Sequence, residues 1–244
     1  MLSKLKVKYI QSLGQKKFRD EHNVFVAEGP KTVLDLAKES SLRIQAIYAL
    51  PEWLSEYRKA FGSTEIVELS EMELEKISLL KTPNEVLAIV EKPLMREIDQ
   101  EDEGIILALD SIQDPGNLGT IIRIADWFGV KNIVCNEGCA DIYNPKVVQA
   151  TMGSIARVNC FYTDLAIWLQ QNEKLRVYAT VLDGQPITKM NKISSGVILV
   201  GNASRGISEE LLERANVRIT IPKLGGAESL NAAVATGIIL SHVI

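Results

Sequence analysis

Apolar residues in the second half of the chain come in short, nearly unbroken runs, each followed by a stretch with helical spacing. "GIILALDSI" precedes "NLGTIIRIADWFG", where Leu118, Ile121, Ile122, Ala125 and Phe128 form one apolar stripe. "NIVCNEG" precedes a helix over "NPKVVQATMGSIA", and "RVNCFYT" precedes "DLAIWLQQNEK". "RVYATVLD" runs into a polar loop; "GVILVGNASRGIS" leads to "EELLERA", and "VRITIPK" to a last helix in "SLNAAVATG". Continuous apolar strands alternating with amphipathic helices predict a mostly parallel sheet covered on both faces.

The first ninety residues carry a similar but looser pattern. A basic helical opening is followed by strand "VFVAEG", a helix "PKTVLDLAKES" with Pro30 in its first turn, and strand "IQAIYAL". A helix from Pro51, strand "EIVELS", a helix from Ser70 and strand "EVLAIVE" complete a small α/β module. Ser70 and Glu73 have the spacing of a capping box. Between the halves lies "EIDQEDE", residues 97–103, with five acids in seven positions. The predicted organisation is an N-terminal module over residues 1–92, an acidic linker over 93–103 and a second α/β domain over 104–244.

With 244 residues, 46% of them hydrophobic and 24% charged, the chain can bury a sizeable core. No apolar run is long enough to span a bilayer, and "MLSKLKVKYIQSLG" lacks the apolar core of a secretory signal. Cys135, Cys139 and Cys160 show no metal-ligand spacing with His22 or His242, so no metal site is predicted; they read as reduced thiols of a cytoplasmic protein. The net charge of -4 hides an asymmetry. Through residue 31, Lys4, Lys6, Lys8, Lys16, Lys17, Arg19 and Lys31 stand against Asp20, Glu21 and Glu28. Such an end suits either a surface that meets phosphates or a solvated amphipathic helix.

Several common chemistries lack their motifs. There is no glycine-rich dinucleotide or triphosphate loop and no nucleophile elbow, and neither histidine sits in a triad context. In a parallel sheet, ligands bind beyond the carboxyl ends of strands, which directs attention to "DSIQDPGNLG", "GNASRGIS" and "PKLGGAESLN". In the first, Asn117 stands at the start of a helix and can cap it; Arg123, off the apolar stripe, can hold an anion or pair with Asp126. In the second, Gly201 and Gly206 permit close backbone approach, and Ser208 can cap the next helix. In the third, Ser229 can cap the last helix, which would put Asn231 in its first turn. One cap needs one such side chain, so Glu228, Ser229 and Asn231 together exceed what capping requires.

"NLGTIIRIADWFG", "LVGNASRGIS" and "IPKLGGAESLNAAVATG" resemble, in order, the three motifs of the SpoU (TrmH-type) RNA ribose 2′-O-methyltransferases of the SPOUT class. "KKFRDEHNVFVAEGPKTVLDLAKE" resembles the substrate-binding module often attached to them. The resemblance implies a SPOUT α/β domain with a trefoil knot, S-adenosylmethionine as cofactor, and a homodimer in which two subunits complete each active site. It implies an RNA partner, with ribosomal RNA ahead of transfer RNA, and no membrane partner. It assigns catalysis to Arg123, which grips a phosphate and assists deprotonation of the 2′-hydroxyl, with Asn117, Ser229 and Asn231 orienting the ribose and Arg123. Backbone groups of Gly201, Ile221 and Leu230 would hold the adenosyl group. The chain departs from the family pattern at Gly201-Asn202-Ala203, where the family has Gly-Asn-Glu. That missing carboxylate supports an alternative, a non-catalytic RNA-binding homodimer of the same fold. A small-molecule α/β enzyme is a third reading, under which the basic N-terminus is accidental.

Overall fold

The computed structural model describes residues 2–94, 98 and 104–244, so most of the expected acidic linker (95–97 and 99–103) lies outside the described residues. By packing, the chain divides into two units. One runs through Leu94 and also takes in Asp141–Ala156; the other holds the remainder.

The first unit opens with helices α1 (Lys4–Ser12) and α2 (Lys16–His22), then β1 (Val24–Glu28), α3 (Pro30–Lys38), β2 (Ile44–Ala49), α4 (Pro51–Tyr57), β3 (Glu65–Glu68), α5 (Glu71–Ile77) and β4 (Val86–Glu91). The sheet order is β1-β4-β2-β3, with β2 and β3 parallel and both pairings of β4 antiparallel. Successive strand residues point to opposite faces, and here both faces are covered. Phe25, Ala27, Ile47, Ala49, Ala88 and Val90 pack with Val33, Leu36 and Trp53, while Val24, Val26, Ala46, Tyr48, Leu87 and Ile89 pack with Ile10, Leu74 and Ile77. Ser70 and Glu73 form the expected capping box on α5, with the Ser70 N–H donating to Glu73 Oε2 at 3.2 Å.

The rest of the chain supplies β5 (Ile105–Leu109), α6 (Pro115–Trp127), β6 (Asn132–Cys135), α7 (Pro145–Thr151), β7 (Asn159–Tyr162), α8 (Leu165–Gln171), β8 (Val177–Pro186), β9 (Gly196–Val200), α9 (Glu209–Leu212), β10 (Val217–Thr220) and α10 (Ala232–Val243). Six strands form one sheet, ordered β10-β8-β9-β5-β6-β7, and every pairing is parallel. Ile106, Ala108, Val134, Val197 and Leu199 face α8 and α9. Their alternates Leu107, Leu109, Ile133, Ile198 and Val200 are also buried. α6 buries Leu118, Ile121 and Ile122 completely, each contributing about 2 kcal/mol relative to exposure, and packs beside α10. From β5 the chain proceeds to β6 and β7 on one side, whereas from β9 it proceeds to β10 on the other. The carboxyl ends of β5 and β9 therefore flank the switch point, where a crevice is expected.

α7 does not pack as a continuous 104–244 domain would have it. Val148 and Ile155 join the apolar cluster of Phe25, Val33 and Leu36, and Tyr143 stacks on Phe25 with ring centroids 5.0 Å apart. Arg19 Nη2 bonds Asp141 Oδ2 at 2.6 Å and Nη1 donates to the Leu13 carbonyl at 2.8 Å. Arg19 is therefore buried, and it leaves the set of basic residues able to meet phosphates; Lys4, Lys8, Lys16, Lys17 and Lys31 remain exposed. Among the described residues, no helix is long and apolar enough to cross a membrane.

Candidate active site

At the carboxyl end of β5 an acidic side chain follows five apolar residues. Asp110 is only 4% exposed, and three donors from three segments converge on it. The Ser208 N–H donates to Oδ2 at 2.8 Å; Asn136 Nδ2 and Ser111 Oγ donate to Oδ1 at 2.7 and 2.9 Å. Asn136 Oδ1 in turn accepts the Ser111 N–H at 2.9 Å, holding Ser111 at a left-handed φ of 58°. A second tie runs the other way, from Asn202 Nδ2 to the Ser111 carbonyl at 2.8 Å. Asn202 Oδ1 also accepts the Ser204 N–H at 2.8 Å, and its backbone bridges Gly206. The loops after β5 and β9 are thus cross-linked by side chains at both ends.

Gly201 has a structural reason inside this loop. A Cβ there would lie 2.4 Å from the Gly206 carbonyl group, so the loop's own backbone requires glycine at this position. Gly206 adopts a φ of +71° and faces open space.

Beside the same node lies Cys139, whose Sγ accepts the Ile112 N–H at 3.3 Å. Hydrogen bonding from the Cys135 thiol, then from the backbone of Ile112, Ser111 and Asn136, holds Cys139 below the usual thiol range against the opposing effect of burial. The same contact with Cys139, followed by burial, raises Cys135. Burial pushes Cys160 up to about 12.

Four residues after Asp110, Asp114 caps α6 by accepting the Asn117 N–H at 2.8 Å. The helix consequently starts at Pro115, and Asn117 is not its cap. Its side chain is free for another partner, which is Asn231: Asn231 Nδ2 donates to Asn117 Oδ1 at 2.8 Å across 114 residues of sequence. Asn231, rather than Ser229, caps α10, with Oδ1 accepting the N–H groups of Ala233 and Val234 at 2.9 and 3.2 Å. Ser229 lies outside the helix, exposed in the preceding loop.

The ion pair open to Arg123 does not form either. Asp126 is taken by Arg157, at 3.0 and 2.7 Å from Nε and Nη2. The Arg123 guanidinium has no hydrogen-bond or ion-pair partner among the described residues and is exposed. Six residues beyond Asn117, it points roughly 240° around the helix and about 9 Å further along the axis. It shares an exposed strip with Gly116, Thr120 and Trp127, the last 85% exposed. The structure thus brings Asn117 and Asn231 into contact, while Arg123 diverges from that pair on a neighbouring face of α6.

Ile221 immediately follows β10 and is half-buried, and residues 222–231 form an uninterrupted exposed loop that includes Leu230. Gly225 and Gly226 have neither a positive φ nor any neighbour that a Cβ would meet, so the fold itself does not require glycine at either position. Asp110, Asn136 and Asn202 have no assigned role in the sequence reading. One signal was available for Asp110, because an acid closing a wholly apolar strand must find donors when buried. Asn136 and Asn202 have only ordinary loop contexts.

Comparisons with known proteins agree over both halves. The model of the SpoU rRNA methylase family matches residues 104–241, and that of the MRM3-like substrate binding domain matches residues 4–88. Over 241 residues the chain is 31% identical to the 23S rRNA (guanosine(2553)-2'-O)-methyltransferase RlmP of Bacillus subtilis (strain 168), covering 98% of this chain and 95% of that one. The structure of an AdoMet-bound rRNA methyltransferase from Sinorhizobium meliloti matches with a TM-score of 0.88 at 31% identity, covering 100% of this chain and 95% of that one. The SpoU methyltransferase AviRb from Streptomyces viridochromogenes, in complex with AdoMet, matches in fold with a TM-score of 0.86 at 23% identity, covering 99% and 97%. One family model spans more than half of the chain and a relative aligns along nearly all of it: this chain belongs to the SpoU rRNA methylase family.

Proposed function

We propose that the protein transfers a methyl group from S-adenosylmethionine to a ribose 2′-hydroxyl of ribosomal RNA. The observation that carries this reading is the 2.8 Å bond between Asn231 and Asn117, which joins the first and third motifs, while on another face of α6 the Arg123 guanidinium is exposed and has no partner among the described residues. Similarity to RlmP and to the AdoMet-bound rRNA methyltransferase supports the substrate class and the cofactor.

The residues present fit that cofactor. The backbone of the 222–230 loop makes no hydrogen bond to the described protein, and Gly225 and Gly226 permit close approach. Backbone groups of Gly201, Ile221 and Leu230 would hold the adenosyl group, in a domain whose chain we take to be knotted as in SPOUT enzymes. When bound, S-adenosylmethionine supplies an electrophilic sulfonium methyl, which needs no metal. The protein's part is to hold a ribose oxygen in line at about 3 Å and to ease loss of its proton. Arg123 grips the adjacent phosphate and, as a fixed cation, stabilises the developing alkoxide. Asn117 and Asn231 orient the ribose, with Ser229 on the same loop within the chain's reach.

Because Arg123 diverges from the Asn117–Asn231 pair, a second copy completes the site: α6 and α10 form the shared face. Trp127, Leu230 and Val234, between 44% and 85% exposed, support burial there. The first unit recruits RNA through Lys4, Lys8, Lys16, Lys17 and Lys31, and the reaction belongs to the cytoplasm, where ribosomal RNA and reduced thiols coexist.

The test is transfer of labelled methyl to ribosomal RNA, comparing wild type with Arg123→Ala. Wild type should label RNA and the variant should lose about 100-fold or more, while calorimetry finds its cofactor affinity unchanged. Equal transfer by both would remove Arg123 from the mechanism. Ala203 favours one other outcome: a wild-type dimer that binds RNA and transfers nothing is the non-catalytic reading.

A further inference from the structure

We propose that Asp110 is a positioning residue for methyl transfer, whose carboxylate sets the separation between the loop leading to Asn117 and the loop carrying Gly201. The proposal rests on the function proposed above for those two loops.

Three features carry it. Asp110 sits at the switch point and not in a peripheral core, since its own N–H bonds the Val200 carbonyl at 2.9 Å, one residue before Gly201. Its two oxygens face donors only: the Ser208 N–H on one side, and Asn136 Nδ2 with Ser111 Oγ on the other. The reciprocal bond from Asn202 to the Ser111 carbonyl makes the connection between the loops double. Asp110 is buried while Ser111, Asn136 and Asn202 are half-buried and Ser208 is exposed, so a group at position 110 that turns a donor toward another donor loses a charge-assisted bond and leaves its own buried donor unsatisfied. Four residues beyond Asp110 stands Asp114, which caps α6 and thereby orients Asn117, so displacement of the β5 loop moves both the ribose-orienting pair and the cofactor loop.

The donor pattern allows a specific test. Asp110→Asn must place its amide against either Ser208 N–H or Asn136 Nδ2. Adding Asn136→Asp reverses the second pair: the amide introduced at position 110 donates to the carboxylate introduced at 136, and its carbonyl accepts from Ser208, while that carboxylate still accepts the Ser111 N–H. The full chain is purified as wild type, D110N and D110N/N136D, and each is followed by calorimetry with S-adenosylmethionine, steady-state kinetics, thermal unfolding and amide hydrogen exchange. D110N should weaken cofactor binding about tenfold, raising KM for S-adenosylmethionine, and should also lower kcat at saturation about tenfold because the ribose-orienting pair moves with the loop; the double variant should recover both to within about threefold of wild type. Unchanged binding in D110N, or a folded double variant no better than the single one, overturns the proposal. So does a fall in thermal stability without a change in cofactor affinity, which marks a merely structural role. If wild type itself binds no cofactor, the functional reading fails separately, and exchange at the Ser111 and Ser208 amides decides the tie: fast in D110N and slow again in the double variant supports it, and equal exchange in all three overturns it.

Discussion

Glu28, 4% exposed, closes β1 with its carboxylate bonded to the Leu79 N–H at 2.7 Å and Ser78 Oγ at 2.6 Å. Burial raises its pKa above the ordinary 4.5, and the two hydrogen bonds only partly offset it. A raised folded value means that its contribution to stability is fully present below the unfolded pKa and is lost as pH rises through the folded one. Glu28→Gln, which can keep an acceptor for Leu79 and offer a donor to Ser78, should therefore flatten this dependence. Urea denaturation across about pH 4 to 8 should show wild type losing stability relative to the variant as pH rises. Thiol chemistry gives a second check: Cys135 and Cys160 are buried and raised, whereas Cys139 is lowered and partly accessible. Alkylation of the native protein, read by mass spectrometry, should label Cys139 first and the other two only after unfolding. At this scale the resemblance of the three motifs to the SpoU enzymes singled out Asn117, Arg123, Ser229 and Asn231 as candidates. It could not say that Asp126 would be held by Arg157, because that partner lies 31 residues away and its approach depends on packing.

Among elements, α10 separates capping from contact. Asn231 uses Oδ1 for the helix and Nδ2 for Asn117. Asn231→Ala should lower stability by about 1 kcal/mol and lose methyl transfer, while Asn231→Ser, an equally good cap but too short to reach Asn117, should keep stability within about 0.5 kcal/mol and still lose transfer. Chemical denaturation beside the methylation assay distinguishes them. Local patterns predicted most elements well because their determinants are local: the Ser70–Glu73 box, Pro30 at the first turn of α3, the unbroken apolar run of β9. The start of α10 was displaced from Ser229 to Asn231. Both residues can cap, and the choice is made by Asn117 and by burial of Ala232 and Ala233 against the rest of the fold.

For the whole molecule, α7 is the consequential finding. Its segment belongs by sequence to the second half and by packing to the first unit, where Val148 and Ile155 share a cluster with Phe25 and Leu36. Deleting residues 1–92 should therefore expose that cluster and open 141–156 to proteases. It should leave S-adenosylmethionine affinity within about threefold, because Gly201, Ile221 and Leu230 all lie in the second unit. Limited proteolysis with calorimetry on the fragment checks both, and a large loss of affinity would contradict the division. The amino-acid sequence alone determined the alternation of strands and helices, the parallel class of the second sheet and the three loops worth attention, since periodicity and caps act over a few residues. Tertiary structure alone decided the strand order, the pairing of Asn117 with Asn231, the burial of Arg19 and the convergence of three segments on Asp110. These depend on contacts between residues far apart in the chain, whose energies exist only once the sheets have assembled.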